Sequence, residues 1–194
     1  LNEDYIDKCF AIKDADFDNL NNVMYTELPN LFMTDAHDIE MMALNDNAEE
    51  RINAEFLDNK FNSCIKDVIN DLQWLSYLKW CNMVKNFCLI VKCFSNLGSV
   101  YNGLKAVELE NCKSKLYEVS GNFEKCPDIV SEVSGFRRLS ETNDLSNLTN
   151  GHDVCAALPI YIRAHGGQNT GRDEIARVIR TSYTYEAFKQ TRLY

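Results

Sequence analysis

An α/β fold is predicted: a parallel sheet within residues 1–58, followed by a mainly helical remainder over residues 59–194, all in one domain. Three observations predict it. Two short apolar runs near the start, Cys9-Phe10-Ala11-Ile12-Lys13 and Leu31-Phe32-Met33, have strand length and are separated by a polar turn. Each run then stops abruptly in carboxylates, as strands do where they open onto a ligand crevice. Beyond residue 59 the apolar residues recur at helical spacing instead.

Residues 8–13 read as a buried strand, and Asp18-Asn19 through Asn21-Asn22 as a loop. Residues 30–34 make the second strand. Thr34 or Asp35 can cap a helix running from about Ala36 to Leu44, with a second from about Ala48 to Leu57. Phe61, Ile65, Val68, Ile69, Leu72, Leu75, Leu78 and Trp80 share one helical stripe, so residues 59–85 are expected to be a single core-facing helix. Phe87 to Phe94 is apolar without helical period, and strand or buried helix both stay open. Amphipathic helices are expected over Ala106–Val119 and Pro127–Leu139, joined by Ser120-Gly121-Asn122. A polar, turn-rich stretch leads to a helix opening at His152-Asp153, running through Ala157 and interrupted or redirected at Pro159. After a glycine-rich loop, the last helix runs from about Asp173 through Arg180, and Tyr185, Phe188 and Leu193 continue its apolar stripe.

The chain has 194 residues, 45% hydrophobic and 25% charged, enough for a real core. It opens on Leu1 and stops inside a helix-like pattern at Thr191-Arg192-Leu193-Tyr194, so it is expected to be a piece cut from a longer protein. A net charge of −9 opposes a stand-alone nucleic-acid clamp, whose affinity comes from Lys and Arg on phosphate. It leaves room for a partner that supplies positive surface. The eight cysteines form no C-x-x-C pair, which argues against zinc, and reduced thiols in a cytosolic protein are expected. No apolar run is long enough to span a membrane. No P-loop, G-x-G-x-x-G or Ser-His-Asp arrangement is present.

The chemistry therefore concentrates in Asp14, Asp16 and Asp18 after the first strand, and in His37, Asp38 and Glu40 after the second. Asp14 and Asp16 are two apart and point to one face. Like charges this dense repel unless a cation sits between them, and a divalent metal is the simplest one. Carboxylate oxygens select Mg²⁺ or Mn²⁺ over zinc. An EF-hand is excluded, because its sixth and twelfth positions would be Asn19 and Tyr25 rather than Gly and Glu. A haloacid-dehalogenase-like phosphatase also opens with a strand and D-x-D, and it stays a distant alternative. Aspartates as ordinary turn residues are the plain structural reading.

The segments Ala11–Leu20 and Leu31–Leu44 resemble the Toprim-related family of bacterial domains found in anti-phage defence, which includes the nuclease effector of the PARIS system. Its broader kin are the Toprim nuclease domains of OLD-family proteins, topoisomerases and primases. In that fold one strand ends in a catalytic Glu, the next in D-x-D, and a further Glu often serves a second metal. The resemblance implies Asp14, Asp16 and Glu40 as catalytic residues, and Asp14, Asp16, Asp18, Asp38 and Glu40 as ligands of Mg²⁺ (or Mn²⁺). The family's first Glu would lie upstream of Leu1. Asn150-Gly151-His152-Asp153 and the closing Arg180, Ser182-Tyr183, Phe188 and Thr191 to Tyr194 resemble the family's C-terminal pattern, whereas the middle, from about Lys79 to Leu148, matches poorly.

What the resemblance implies is a cytoplasmic, metal-dependent nuclease acting on DNA or RNA such as tRNA, held in check by an AAA/ABC-type ATPase, with self-association left open. His37, His152, Arg177 and Arg180 are the candidate substrate contacts; for the arginines a solvated helix face is the competing reading, and for His152-Asp153 a helix cap. His165-Gly166-Gly167 reads as turn chemistry. The alternative function is a catalytically silent module of the same fold that docks onto the ATPase.

Overall fold

The computed structural model describes residues 9–28, 30–89, 97–119 and 128–194. Within them the chain is α/β but mostly helical, with a small sheet of two parallel strands, β1 (Ala11–Lys13) and β2 (Leu31–Met33). Helices α1 (Ile39–Ala43), α2 (Asp46–Phe56), α3 (Cys64–Asp71) and α4 (Gln73–Val84) follow. A 3₁₀ turn at Leu97–Ser99 leads to α5 (Leu109–Val119), α6 (Ile129–Leu139), α7 (Leu145–Leu148), α8 (Gly151–Ala164), α9 (Arg172–Ser182) and α10 (Tyr185–Phe188).

The helix starts follow local chemistry. Asp38, Asn45, Asp128, Asp144, Asn150 and Thr184 each precede a helix, and each side chain accepts a hydrogen bond from an amide of the first turn. Leu72 before α4 and Gly171 before α9 make no such bond, and neither does Ser63 before α3. Its first amides are met from outside: Cys64 N–H and Ile65 N–H donate to the two carboxylate oxygens of Glu49 on α2, at 2.7 and 2.8 Å. Glu49→Ala should therefore lower stability by about 1–2 kcal/mol, readable as a shifted urea midpoint. Glu49→Gln should recover part of it.

One hydrophobic core draws on both halves of the sequence. Helix α8 lies at its centre, packed against α3, α9 and the 3₁₀ turn, with Val154, Ala157, Leu158 and Ile162 fully buried. The interruption expected at Pro159 does not occur, and α8 continues through it to Ala164. A proline inside a helix costs roughly 3 kcal/mol. Burying each neighbouring Leu or Ile is worth about 1.5–3 kcal/mol, so packing on several sides holds the helix on its path.

The single helix expected over residues 59–85 is two, broken at Leu72. The Asp71 carbonyl there accepts from the Val107 amide at 2.8 Å, a bond made across the fold that periodicity in sequence cannot reveal. Residues 57–63 are a loop before α3, and α7 stands in the stretch expected to be turns alone. Of the segment Phe87–Phe94, residues 87–89 are irregular; the rest, like the joint at Ser120-Gly121-Asn122, lies outside the described residues.

The strand expected to be buried over residues 8–13 is shorter and open. Phe10 is 74% exposed and Ile12 52%. With two strands in the sheet and, among the described residues, no layer that closes over this face, apolar character alone does not bury it. No helix among the described residues is long and apolar enough to cross a membrane.

Candidate functional site

The two acidic segments do leave neighbouring parallel strands at the same end. The register pairs Ala11 with Leu31, Ile12 with Phe32 and Lys13 with Met33. Past the strands, the loops are stitched to each other. Thr34 N–H donates to Lys13 O at 3.1 Å, and Asp16 N–H to His37 O at 2.7 Å. Thr34, fully buried, accepts from Ala15 N–H at 2.9 Å and donates its hydroxyl to Ala36 O at 2.7 Å. Asn19 ties this junction to α7 by donating to Thr34 O and to Asn147 Oδ1.

Ala15 is buried while Asp14 and Asp16 on either side are exposed, so both carboxylates stand on the outer face as their spacing predicts. Asp16 has φ +48°, a left-handed conformation unfavourable for most side chains and one that Asp tolerates better.

The other acids are committed elsewhere. The Asp18 carboxylate accepts from Lys13 Nζ and from Tyr25 OH, each at 2.8 Å. Burial pushes its pKa up, but these two hydrogen bonds outweigh it and hold the group below the usual carboxylate range. Lys13 Nζ also reaches Asp14 O at 2.9 Å and lies 3.9 Å from Asp16. A lysine ammonium thus occupies the place among these acids where the sequence suggested a metal.

Asp38 is 2% exposed and points inward. Its Oδ1 accepts from Met41 N–H at 2.8 Å, capping α1; its Oδ2 accepts from Gly151 N–H at 2.8 Å and from His37 Nδ1 at 3.2 Å. One carboxylate thereby joins the N-termini of α1 and α8. Burial raises its pKa, while His37 first, then the Met41 and Gly151 amides, lower it further, and the net result lies below the ordinary value. Gly151 permits this approach. A Cβ there would come within 2.5 Å of Asp38 Oδ1 and of Glu40 Cβ. Gly151→Ala should cost roughly 2–4 kcal/mol in urea unfolding, since overpacking and a broken buried bond combine.

His37 is buried too, its ring edge-on to Phe17 at 4.9 Å, so it supports the core rather than facing a substrate. Glu40 turns toward α8, with Oε1 3.7 Å from His152 Nδ1; that atom also lies 3.2 Å from Arg172 Nη2. Arg177 is exposed beside Glu174 at 4.0 Å, and Arg180 is exposed in the last turn of α9. Arg172, Arg180, Glu40 and Asp38 lie near enough to influence the buried Cys155 thiol, which burial above all pushes up to about 12. Arg137, by contrast, stacks over Trp74 at 4.3 Å and belongs to the fold. His165 stacks on Tyr161 at 4.0 Å and is structural as well. Asp153, in the first turn of α8, is paired with Lys79.

The five carboxylates therefore do not fit one metal cage. Among the described residues no three of His, Cys, Asp and Glu come together to hold an ion. Asp38 has both oxygens on protein donors, Asp18 has its Oδ2 on two of them, and Glu40 faces His152. Of the five, Asp14 and Asp16 are exposed, Asp16 with Lys13 Nζ 3.9 Å away. Lys13, Thr34 and Gly151 were not singled out by the sequence reading of the site. Their signals were slight: a cation directly before D-x-D, a Thr ending the second strand, and a Gly directly before His152-Asp153.

Comparison with known proteins leaves the quoted resemblance to stand on its own residues. No family model matches the chain, and neither a curated protein nor a solved structure does.

Proposed function

We propose that this chain is a Toprim-like nuclease module that hydrolyses phosphodiesters of DNA or RNA, tRNA among them, in the presence of Mg²⁺ or Mn²⁺. It acts in the cytoplasm as the effector of an anti-phage defence system governed by an AAA/ABC-type ATPase. The observation that carries this reading is the pair of parallel strands whose loops, stitched together by Thr34 and the Asp16–His37 bond, leave Asp14 and Asp16, two residues apart, exposed at the strand end. Strained backbone at an exposed acid, as at Asp16, is the kind of feature that function retains. A divalent ion, when bound, activates water and stabilises the leaving oxygen. Asp14 and Asp16 would hold it; Lys13 orders the loop by gripping Asp18.

A second reading has its own support. Lys13 already neutralises the acidic loop and Asp38 is turned inward, which favours a silent module that docks onto the ATPase. The full-length protein, with the ATPase encoded beside it, should be incubated with tRNA, single-stranded DNA and duplex DNA. The nuclease reading expects products with Mg²⁺ and none after EDTA. Intact substrates alongside a stable complex with the ATPase would establish the silent reading instead.

A further inference from the structure

No residue from 184 to 194 is buried, and the segment is held together mainly by its own contacts. Lys189 pairs with Glu186 at 2.6 Å, and the Tyr194 ring meets those of Tyr185 and Phe188, each at 6.0 Å. Among the described residues, its hydrogen bonds to the rest of the chain all come from Arg192. The Arg192 backbone N–H donates to Asp35 Oδ2 at 2.8 Å, its Nε to Asp35 Oδ1, and its Nη2 to Thr34 O at 3.4 Å. Phe188 and Leu193 meet Phe10, Ile12 and Phe32 around a hollow of about 470 Å³, so packing beneath the segment is incomplete.

The residue from which the segment springs carries an unmet donor. Tyr183, at the end of α9, packs against the core, and its hydroxyl is buried with no hydrogen-bond partner among the described residues. A buried donor left unmade costs free energy, because it has given up water for nothing. Tyr183 lies near enough to Asp35 that the carboxylate charge, after burial, pushes the phenol up. Both Asp35 oxygens, however, are engaged by Arg192. Two donors therefore compete for one carboxylate. Arg192 offers a charged, two-point grip, but its side chain is 63% exposed and that of Asp35 30%, where solvent and salt weaken such pairs. Tyr183 offers a neutral bond from a drier place.

We infer that residues 184–194 are a latch with two positions: closed, with Arg192 on Asp35, and open, with Arg192 in solvent and Asp35 accepting from the Tyr183 hydroxyl. This structure holds the closed position. The bond gained at Tyr183 offsets part of what is lost at Arg192, which keeps the open position within thermal reach. The latch closes on the junction beside Asp14 and Asp16, because Thr34, whose carbonyl takes the third bond, also stitches the two loops. It works whether or not the acidic loop cleaves nucleic acid.

The test follows the whole chain by NMR, reading hydrogen exchange at the Arg192 amide and the Cζ signal of Tyr183. Raising salt from about 20 to about 500 mM should speed Arg192 exchange at least about threefold and leave the amide of buried Ile162 unchanged. Arg192→Gln removes the guanidinium and keeps the amide. Exchange there should speed at least about tenfold, and the Tyr183 signal should shift as its hydroxyl finds an acceptor. Adding Asp35→Ala to that variant should abolish the shift. Tyr183→Phe removes the competing donor, so Arg192 exchange should slow at least about threefold, with a urea midpoint no lower than wild type. A Tyr183 signal unmoved by Arg192→Gln would leave the Arg192–Asp35 pair a plain surface ion pair and overturn the latch. Unchanged or faster Arg192 exchange in Tyr183→Phe, or exchange indifferent to salt, would overturn it as well.

Discussion

Asp14→Asn and Asp16→Asn in the full-length protein are each expected to reduce Mg²⁺-dependent cleavage by at least about a hundredfold. Both side chains are exposed, and neither packs in the core, so the unfolding midpoint should barely move. Asparagine is the better substitute at residue 16. Its φ of +48° would cost a residue such as Ala roughly 1–2 kcal/mol, whereas Asn, like Asp, tolerates that region. Asp18→Asn separates holding the loop from chemistry: it weakens the grip on Lys13 and Tyr25 and should affect stability and activity together. Glu40→Ala should weaken the reaction less than either change in D-x-D. If both Asp14→Asn and Asp16→Asn cleave at the wild-type rate, the catalytic assignment is lost.

Asp38→Ala is expected to cost about 3–5 kcal/mol, because it strands His37 and two buried amides at once. The same carboxylate makes stability depend on pH. Its folded pKa lies below its unfolded value, so the unfolded state binds the proton more readily. The contribution is fully present above the unfolded pKa, near 3.8, and is lost as pH falls through the lower folded value. Urea midpoints measured from pH 6 down to about pH 3 should fall for the wild type and fall less for Asp38→Ala. Asp18, also depressed, adds to the slope, so Asp18→Asn is the companion measurement. Parallel slopes for wild type and Asp38→Ala would show that Asp38 does not drive the acid sensitivity.

The clasp also explains why Glu40 lies where it does. With Asp38 fixed against Gly151, the first turn of α1 is held against the start of α8, and Glu40 meets His152 rather than Asp14 and Asp16.

Much of the architecture was legible from local signals. Apolar spacing marked the helices, because burial on one face imposes a period of 3.6 whatever the neighbour. Two apolar runs ending in carboxylates marked two adjacent parallel strands, and the alternation of Asp14, Ala15 and Asp16 told which side chains face outward. Helix starts were less legible: Asp38 rather than Thr34 or Asp35 caps α1, and Asp144 caps a helix where turns alone were expected.

The tertiary structure decided what no local signal encodes. The bond from Val107 to Asp71 splits one expected helix into two, and burial carries α8 through Pro159. It also decided the fate of each acid: Asp18 to Lys13, Asp38 to Gly151, Glu40 to His152, and Asp14 and Asp16 to solvent. The physical reason is that spacing along the chain sets the face a side chain leaves from. Which donor it then meets depends on partners up to 113 residues away, brought near only by packing.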